Sequence, residues 1–354
     1  MTGHTTGYAE LGVRPVINAA ATLTALGGSL LAPPVLPAMT AAAESFVDLV
    51  ELQVAVGARL AELTGNEAGH VTAGAWAGVT QCVAACLVGV DPVGTAALPS
   101  VDGLARTEVV VYPGQRLGYE DAVRVTGATI TDTVGPRTAC VLWFAGERFA
   151  AGGPPLAEVV ATAGVPVIVD AAAQIPPVSS LWRFTRELGA DAVVVSGGKG
   201  MRGPQSTGLV LGRAAIVEGC RANGGPRHTV GRGMKVGKEE LLGLLAAVEW
   251  TLAQDEQAVI AGYETVVQGW IAALRDVPGV RVERGFPSEA GQPHARAIVH
   301  VGERRDAVVA ALWAGDPRIA VGTQTDGAIA LNPQTLRPGE DVVVRDALLA
   351  ALAG

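Results

Sequence analysis

Apolar, β-branched runs recur between residues 108 and 212, and stretches with helical spacing separate most of them. Runs that are apolar at every position are typical of strands in a parallel sheet that is covered by helices on both faces. The last two runs are too close for a helical crossover, so we expect the final strand to lie antiparallel to its neighbour. The runs are EVVVYP (108–113), ACVLWF (139–144), VPVIVD (165–170), DAVVVS (191–196) and TGLVLG (207–212).

The pattern changes at about residue 239, where a long amphipathic segment predicts helix and is expected to leave the main sheet. Short strand-like and helical runs then alternate to the end of the chain, which predicts a smaller α+β domain. We therefore predict an α/β fold with three regions. They are an N-terminal segment that packs on the small domain and the active site (1–50), a large ligand-binding domain (51–245) and a small C-terminal domain (246–354).

Composition and charge disfavour several classes of protein. Hydrophobic residues make up 49% and charged residues 17% of the 354 residues, as in well-buried α/β proteins. Lys and Arg number 26 against 34 Asp and Glu, a net charge of −8 without a basic block, so we expect no nucleic-acid partner. The N-terminus lacks a secretory signal, and prolines, glycines and polar residues interrupt the uncharged stretches. We expect a cytoplasmic protein with no membrane span.

The four cysteines predict no metal site. Cys82 and Cys86 lie one helical turn apart in an apolar run, and neither they nor the other two have His or Cys partners at ligand spacing. We expect all four to be small buried residues in a reducing compartment.

The segment SGGKGMRG places one lysine, Lys199, among four glycines just after a strand, where α/β sheets bind ligands. One interpretation is a nucleotide fingerprint, because GKGMRG matches G-x-G-x-x-G. However, Pro204 and another strand follow where the fingerprint needs a helix. A second interpretation is a surface turn with a solvated lysine. A third is a lysine that forms a Schiff base with pyridoxal 5'-phosphate (PLP).

The PLP interpretation makes further demands, and the chain meets them in order. Asp170 ends the strand one unit before Lys199, at the same sheet edge, and could keep a pyridine nitrogen protonated. The small residues 73–75 before a helix offer backbone N–H groups to a phosphate, and Ser196 offers a hydroxyl. The small side chains of Ala171 and Ala172 leave room for a flat ring. This order favours PLP over the other two interpretations.

Longer segments resemble a known family. VIVDAAAQIPPVSSLW, GADAVVVSGGKGMRGPQSTGLVLGR and MKVGKEELLGLLAAVE are similar to the selenocysteine synthase group of fold-type-I PLP enzymes, and most similar to its D-glucosaminate-6-phosphate ammonia-lyase-like branch. The likeness covers most of the chain to about residue 250. It implies a PLP transferase fold, in which a mostly parallel sheet of about seven strands lies between helices. It also implies a homodimer or ring of dimers with active sites shared between subunits. The cofactor contacts that it implies, together with those expected above, are Gly74, Ala75, Trp76, Asp170, Ala172, Ser196 and Lys199.

The resemblance also identifies positions around the cofactor. Gln115 stands where relatives carry a histidine stacked on the cofactor, and Gly322 stands where they often carry an arginine that anchors the substrate. Both departures bear on the substrate and the reaction. The substrate-binding positions that the family implies are Asn18, Thr22, Arg202, Arg232 and Lys235.

The predicted function is that of a PLP-dependent lyase on a hydroxylated amino acid or amino-sugar acid. Lys199 would hold the cofactor and act as the base at Cα, and Asp170 would keep the ring nitrogen protonated, so that loss of a β-hydroxyl yields ammonia and a keto acid. Aldol cleavage, racemisation and transamination remain open as alternatives. A seryl-tRNA selenium transferase is disfavoured by the charge and by a core that begins near residue 11. A catalytically idle PLP-binding protein is the alternative from another class.

Overall fold

The computed structural model describes residues 7–353. The α-helices in this range are α1 Val35–Ala43, α2 Leu49–Thr64, α3 Ala75–Val88, α4 Pro92–Ala97, α5 Asp121–Arg124, α6 Glu147–Ala150, α7 Leu156–Thr162, α8 Ala214–Asn223, α9 Lys238–Leu252, α10 Glu256–Leu274, α11 Arg305–Ala314 and α12 Glu340–Ala353. The strands are β1 Val16–Ala19, β2 Ala68–Thr72, β3 Glu108–Val110, β4 Thr129–Thr131, β5 Thr138–Phe144, β6 Val167–Asp170, β7 Ala192–Ser196, β8 Gly208–Gly212, β9 Arg281–Gly285, β10 Arg296–His300, β11 Arg318–Thr323 and β12 Ile329–Leu331.

The large sheet has the order β2-β8-β7-β6-β5-β3-β4. The five strands from β7 to β4 are parallel, and β8 runs antiparallel to both of its neighbours. The predicted fold class and the antiparallel strand TGLVLG are therefore confirmed. Strands β5, β7 and β8 are buried at every position, which is why their sequences are apolar throughout instead of alternating.

Helices cover both faces of this sheet. Val193 and Val195 of β7 pack into a core with α2, α7 and α9, whereas Ala192 and Val194 pack into the opposite core with α3, α5 and α8. Successive residues of a strand point to opposite faces, so one apolar run supplies both cores. The four cysteines are free thiols. Cys82, Cys140 and Cys220 are fully buried in the second core, as predicted, whereas Cys86 is half-buried against it.

The smaller unit is built on a sheet of order β1-β11-β12-β10-β9, with β1 parallel to β11 and the other pairs antiparallel. Its core includes Trp270 and Leu274 of α10 and Leu348 of α12. This is the α+β unit that the alternating runs predict. In residues 7–353 no helix combines the length and apolar character that a membrane crossing requires.

The boundaries between the units differ from the predicted ones. Residues 7–28, 255–289 and 293–353 form the smaller unit, and residues 29–254 with 290–292 form the larger one. The N-terminal segment divides at residue 28 because β1 joins the small sheet. The boundary at 245 is displaced because α9 contributes Leu241, Leu244 and Val248 to the large core. The predicted long helix breaks at Asp255, whose carboxylate accepts a hydrogen bond from the N–H of Ala258. The first six residues of the predicted N-terminal segment lie outside the described range.

Candidate active site

The register of the large sheet brings several predicted site residues to one edge. Gly208 of β8 pairs with Thr72 of β2 on one side and with Ser196 of β7 on the other. Asp170 of β6 pairs with Val194 of β7, two residues before Ser196. Strands β2, β6 and β7 therefore end together, and the segments that follow them emerge at the same edge of the sheet. This is the edge where open α/β sheets bind ligands.

Lys199 lies in a tight turn at this edge, and its side chain is mostly buried. A Cβ on Gly200 would lie 2.0 Å from the carbonyl oxygen of Ile175, and a Cβ on Gly198 would lie 2.4 Å from the Cα of Gln205. Both contacts are with backbone atoms that cannot move cheaply, so glycine is required on each side of the lysine. The glycines pack the turn against neighbouring chain, which does not fit a solvated surface turn.

Asp170 and Lys199 perturb each other electrostatically inside the protein. Burial lowers the pKa of Lys199 from the ordinary lysine value, and the carboxylate of Asp170 opposes this shift. Burial raises the pKa of Asp170, against the effects of a 2.9 Å hydrogen bond from the N–H of Ala172 and of the Lys199 charge. The lysine is thus closer to its neutral, nucleophilic form at moderate pH, and the carboxyl group retains a proton more readily.

Helix α3 starts at the same edge with its N-terminal amides uncapped by any side chain. Its N-cap is Gly74, at φ 92° and ψ 164°, in a region that favours glycine. The hydroxyl of Thr72 donates to the carbonyl oxygen of Gly74 at 2.9 Å and shapes the bend between β2 and the helix. Free N–H groups and the positive end of a helix dipole form an anion site, which is suited to a phosphate group.

These residues fit PLP. The donor set contains a partly desolvated amine in Lys199, a half-buried carboxylate in Asp170 that interacts with it, and an uncapped helix start in α3. Ser196 adds a hydroxyl, with the residue 9% exposed, at the last position of β7. An aldehyde, a ring nitrogen and a phosphate are the three groups by which PLP can be held, and each has a chemically suitable partner here.

Replacement of Gly208 with alanine is expected to weaken PLP binding about 10-fold or more, because a Cβ would lie 2.4 Å from the carbonyl carbon of Gly74 and displace the start of α3 from the phosphate. Overpacking should also lower stability by about 1–3 kcal/mol. Fluorescence titration with PLP and thermal unfolding would measure the two effects. The control is Gly269→Ala in α10, where a Cβ meets nothing within 4 Å. Unchanged PLP affinity in Gly208→Ala would contradict the assignment of this helix start to the phosphate.

Gln115 is fully buried at the carboxyl end of β5. Its amide nitrogen donates to the carbonyl oxygens of Phe144 and Phe149 at 3.4 and 3.2 Å, and its amide oxygen accepts from the N–H of Phe144 at 3.2 Å. These bonds tie the loop after β3 to the end of β5. Contact between Gln115 and the cofactor stays a prediction.

Ala172 lies beside the predicted ring position. Its N–H donates to Asp170 and its carbonyl oxygen accepts a hydrogen bond from the N–H of Ser196 at 3.2 Å. It thereby links the segments that follow β6 and β7. Room beside its small side chain for a flat ring, and contact with the cofactor, stay predictions.

The predicted substrate-binding cations lie in different settings. The guanidinium group of Arg202 donates to the carbonyl oxygens of Leu30 and Leu31 and lies 5.3 Å from the ring centre of Trp250. Arg232 and Lys235 are exposed in the segment between α8 and α9. Trp76, a predicted cofactor contact, is 40% exposed on the first turn of α3. Substrate contact for the three cations stays a prediction.

Asn18 and Thr22 belong to the smaller unit. The amide of Asn18 donates to the carbonyl oxygen of Ala21 and accepts from the N–H of Ala20, both at 2.8 Å, so it shapes the turn after β1. Gly322 lies on β11 of the same unit. The roles predicted for these positions are untested.

The sequence analysis missed Ser29 and Thr72. Ser29 donates from its N–H to the carbonyl oxygen of Gly198 at 3.0 Å and from its hydroxyl to that of Lys199 at 2.7 Å. Ser29 stands 170 residues from the lysine, and no local pattern predicts that contact. The segment that contains Thr72 is not among the apolar runs predicted as strands, whereas it forms β2, an edge strand of the large sheet. The glycine that ends the preceding helix, Gly65, and the short segment 68–72 after it were the available signal in the sequence.

The chain is similar to known proteins over nearly its whole length. No protein-family model matches the chain. A 5'-C-glycyluridine monooxygenase-decarboxylase from Streptomyces sp. is 35% identical, over 97% of this chain and 91% of that protein. A D-glucosaminate-6-phosphate ammonia lyase from Salmonella typhimurium is 29% identical, over 95% of each.

A solved structure of D-glucosaminate-6-phosphate ammonia-lyase superposes with a TM-score of 0.83 at 28% identity, over 100% of this chain and 99% of that one. These findings support the ammonia-lyase side of the predicted resemblance. They give no specific support to the selenocysteine synthase side. The full-length overlap means that the likeness includes both compact units and the candidate site.

Proposed function

We propose, from the premise that the chain belongs to the family of fold-type-I PLP enzymes that contains these two relatives, that it is a PLP-dependent lyase which releases ammonia from a sugar-derived β-hydroxy amino acid. The observation that carries the proposal is the half-buried, electrostatically interacting pair of Lys199 and Asp170 at the sheet edge where the uncapped α3 starts. Lysine, carboxylate and phosphate site are the parts that PLP chemistry requires of a protein.

The substrate class rests on what the two relatives share. Glucosaminate 6-phosphate is an amino-sugar acid, and 5'-C-glycyluridine carries a glycyl group on the sugar of a nucleoside. In both names an amino-acid group is joined to a carbohydrate skeleton. We infer that this chain also acts on a small amino acid of that kind.

Lys199 would perform the proton transfers. Its amine, which burial keeps closer to neutrality, can hold the cofactor aldehyde and, once released by an incoming amino group, remove the proton from Cα. The resulting ammonium can then donate that proton to the departing β-hydroxyl. Because Lys199 lies in a packed glycine turn, the backbone of the turn fixes the point from which its side chain extends.

Asp170 would keep the ring nitrogen protonated, because an ionised carboxylate beside that nitrogen stabilises the positive charge of the protonated ring. The first turn of α3 would bind and orient the phosphate through its backbone N–H groups. PLP supplies one thing that the chain lacks, a conjugated ring that accepts the electron pair left at Cα.

The overall reaction balances without an oxidant. A 2-amino-3-hydroxy acid loses water across Cα and Cβ, and the unsaturated amine that is released regains water as it hydrolyses. The products are a 2-oxo-3-deoxy acid and ammonia. Proton transfer at Cα and protonation of the hydroxyl are the two steps that need a positioned group, and Lys199 can serve both.

A second candidate function is oxidative decarboxylation of the same type of amino acid. The relative whose name describes a monooxygenase-decarboxylase is 35% identical over 97% of this chain. That reaction would consume dioxygen and release carbon dioxide, whereas the elimination does neither. The two candidates therefore differ in gases that can be measured directly.

The test is a substrate screen with PLP-loaded protein. Amino-sugar acids, with and without a terminal phosphate, and nucleoside-linked glycyl compounds would be assayed for ammonia, keto acid, oxygen uptake and carbon dioxide. Equal yields of ammonia and keto acid without oxygen uptake support the lyase. Oxygen uptake with carbon dioxide supports the second candidate, and an aldehyde with glycine would indicate aldol cleavage. Absence of turnover across the panel in a protein that binds PLP would favour the idle PLP-binding alternative.

We also propose that the chain forms a homo-oligomer. Phe46 is 102% exposed, and Val47, Val50 and Val54 on the same stretch are 52%, 38% and 47% exposed. A row of exposed apolar side chains is costly in water and is typical of an interface between subunits. Sedimentation velocity would detect it, and a monomer at assay concentration would contradict it.

A further inference from the structure

We propose that Ser29 and Arg202 are positioning residues that clamp the turn carrying Lys199 and hold its amine at the carboxyl edge of the sheet. The proposal rests on the proposed function, which gives Lys199 its chemistry. Neither residue needs to touch the substrate or the cofactor for this role. Both act on the backbone of the turn.

Ser29 holds the turn from one side. Its N–H donates to the carbonyl oxygen of Gly198 at 3.0 Å, and its hydroxyl donates to the carbonyl oxygen of Lys199 at 2.7 Å. The Lys199 carbonyl also accepts from the N–H of Arg202 at 3.0 Å. Two donors therefore restrain the peptide group of the lysine itself, which lies outside the hydrogen-bond ladder of any strand or helix.

Arg202 returns the contact from the other end of the turn. Its Nε and Nη2 groups donate to the carbonyl oxygens of Leu30 and Leu31 at 3.0 and 3.3 Å, and its own carbonyl oxygen accepts from the N–H of Ala32 at 2.8 Å. The residue has φ 55°, a left-handed conformation that is unfavourable for arginine. The hydrogen bonds to residues 30–32 offset this strain, and glycine at the same position would not incur it.

Helix α9 provides a firm base for the clamp. Ala32, the last residue of the clamping segment, is 1% exposed and packs in one apolar cluster with Ala247 of α9. On the lysine turn, a Cβ on Gly197 would lie 2.6 Å from Leu244, and one on Gly203 would lie 3.1 Å from Ala247. Segment 29–32 and the lysine turn are therefore both seated on the same helix.

Removal of the Ser29 hydroxyl should loosen the turn and let water reach the amine. Burial lowers the pKa of Lys199, and Asp170 is the charged group whose interaction with it raises the pKa. Greater access to water would reduce the first effect, so the pKa should move up toward the ordinary lysine value of 10.5. Loss of one hydrogen bond to the backbone corresponds to roughly a 3- to 10-fold change in the population of the clamped turn.

The experiment measures the amine directly in full-length protein freed of PLP. Acetic anhydride modifies neutral amines, and the chain has three lysines, Lys199, Lys235 and Lys238, whose peptides mass spectrometry can separate. The pH at which modification of Lys199 reaches half its maximum would be compared in wild type, Ser29→Ala and Ser29→Thr. The matched control is Ser100→Ala, which removes an exposed hydroxyl that hydrogen-bonds within its own loop.

The expected result is an upward shift of the half-modification pH by about 0.5 in Ser29→Ala, with Ser29→Thr and Ser100→Ala at the wild-type value. Arg202→Gly serves as a second variant, because it removes the guanidinium bonds while keeping a backbone that accepts a positive φ. It should shift the value in the same direction. Wild-type values in both Ser29→Ala and Arg202→Gly would overturn the proposal. An equal shift in Ser29→Thr would overturn it as well, because a retained hydroxyl should restore the clamp.

A second readout uses the PLP-loaded protein, in which the midpoint of the pH titration of the visible absorbance should shift in Ser29→Ala and return in Ser29→Thr. The labelling experiment needs no PLP. Failure of wild-type protein to bind PLP would therefore overturn the proposed function alone, whereas unshifted labelling in a protein that binds PLP would overturn the clamp alone.

Discussion

Replacement of Lys199 with alanine is expected to reduce turnover by about 10³-fold or more, because one residue supplies both the attachment of the cofactor and the proton transfers at Cα. The loss should be accompanied by loss of the visible absorbance that a PLP–lysine linkage gives. In wild-type protein borohydride should fix the cofactor to the chain. Peptide mapping can assign the label, since only Lys235 and Lys238 compete with Lys199.

The control is Lys238→Ala. Lys238 donates to the carbonyl oxygen of Ala42 and pairs with Glu239 at the start of α9, so its removal should leave the absorbance in place. A label on Lys235 or Lys238, or turnover by Lys199→Ala close to that of wild type, would show that another residue carries the chemistry. A colourless wild type that takes up no added PLP would leave SGGKG as a packed glycine turn with no cofactor to hold.

Substitution of Asp170 by asparagine is expected to lower turnover by about 10²- to 10⁴-fold with little change in shape, because an amide cannot hold a proton at the ring nitrogen. The interaction with Asp170 raises the pKa of Lys199, so the substitution removes the one effect that opposes desolvation. The pKa of the lysine should then fall further. In PLP-free protein the pH at which acetic anhydride half-modifies Lys199 should move to lower pH, and stopped-flow rates with PLP-loaded protein would give the loss of turnover.

Two further measurements separate charge from structure. Asp170→Glu keeps the carboxylate and should retain part of the activity, in contrast to the amide. A PLP analogue methylated at the ring nitrogen carries a permanent positive charge, so it should restore activity to Asp170→Asn in part if Asp170 acts on that nitrogen. Full activity of Asp170→Asn with ordinary PLP would contradict the role.

The sequence predicted the parts of the site that depend on local pattern. The run VPVIVD ends at a carboxylate and the run DAVVVS ends three residues before Lys199, and parallel neighbours end at one sheet edge. The small residues 73–75 predicted a helix start with backbone N–H groups available, and α3 begins there. A single strand and the few residues after it are sufficient for each of these predictions.

Other features depended on pairing between distant segments. Residues 68–72 were not among the predicted strands, because β2 is a strand through its pairing with β8, which is far along the chain. The boundary after residue 245 was wrong in position because amphipathic spacing continues through α9 and α10 and does not say which core each helix joins. The cofactor contact of Gln115 stays a prediction, and the hydrogen bonds of Gln115 to the end of β5 could not be predicted from its sequence neighbours.

The sequence by itself thus determined the fold class and the positions of Lys199 and Asp170 at neighbouring strand ends, because hydrophobic periodicity and strand ends are local properties of the chain. The tertiary structure decided how these groups are held. Ser29 reaches Lys199 across 170 residues, and β8 pairs with both β2 and β7 at Gly208, so that α3 starts at the same edge as the lysine. Such contacts form only when the chain folds back on itself. Close packing and hydrogen-bond satisfaction determine which residues meet in these contacts, and neither produces a periodic pattern in the sequence.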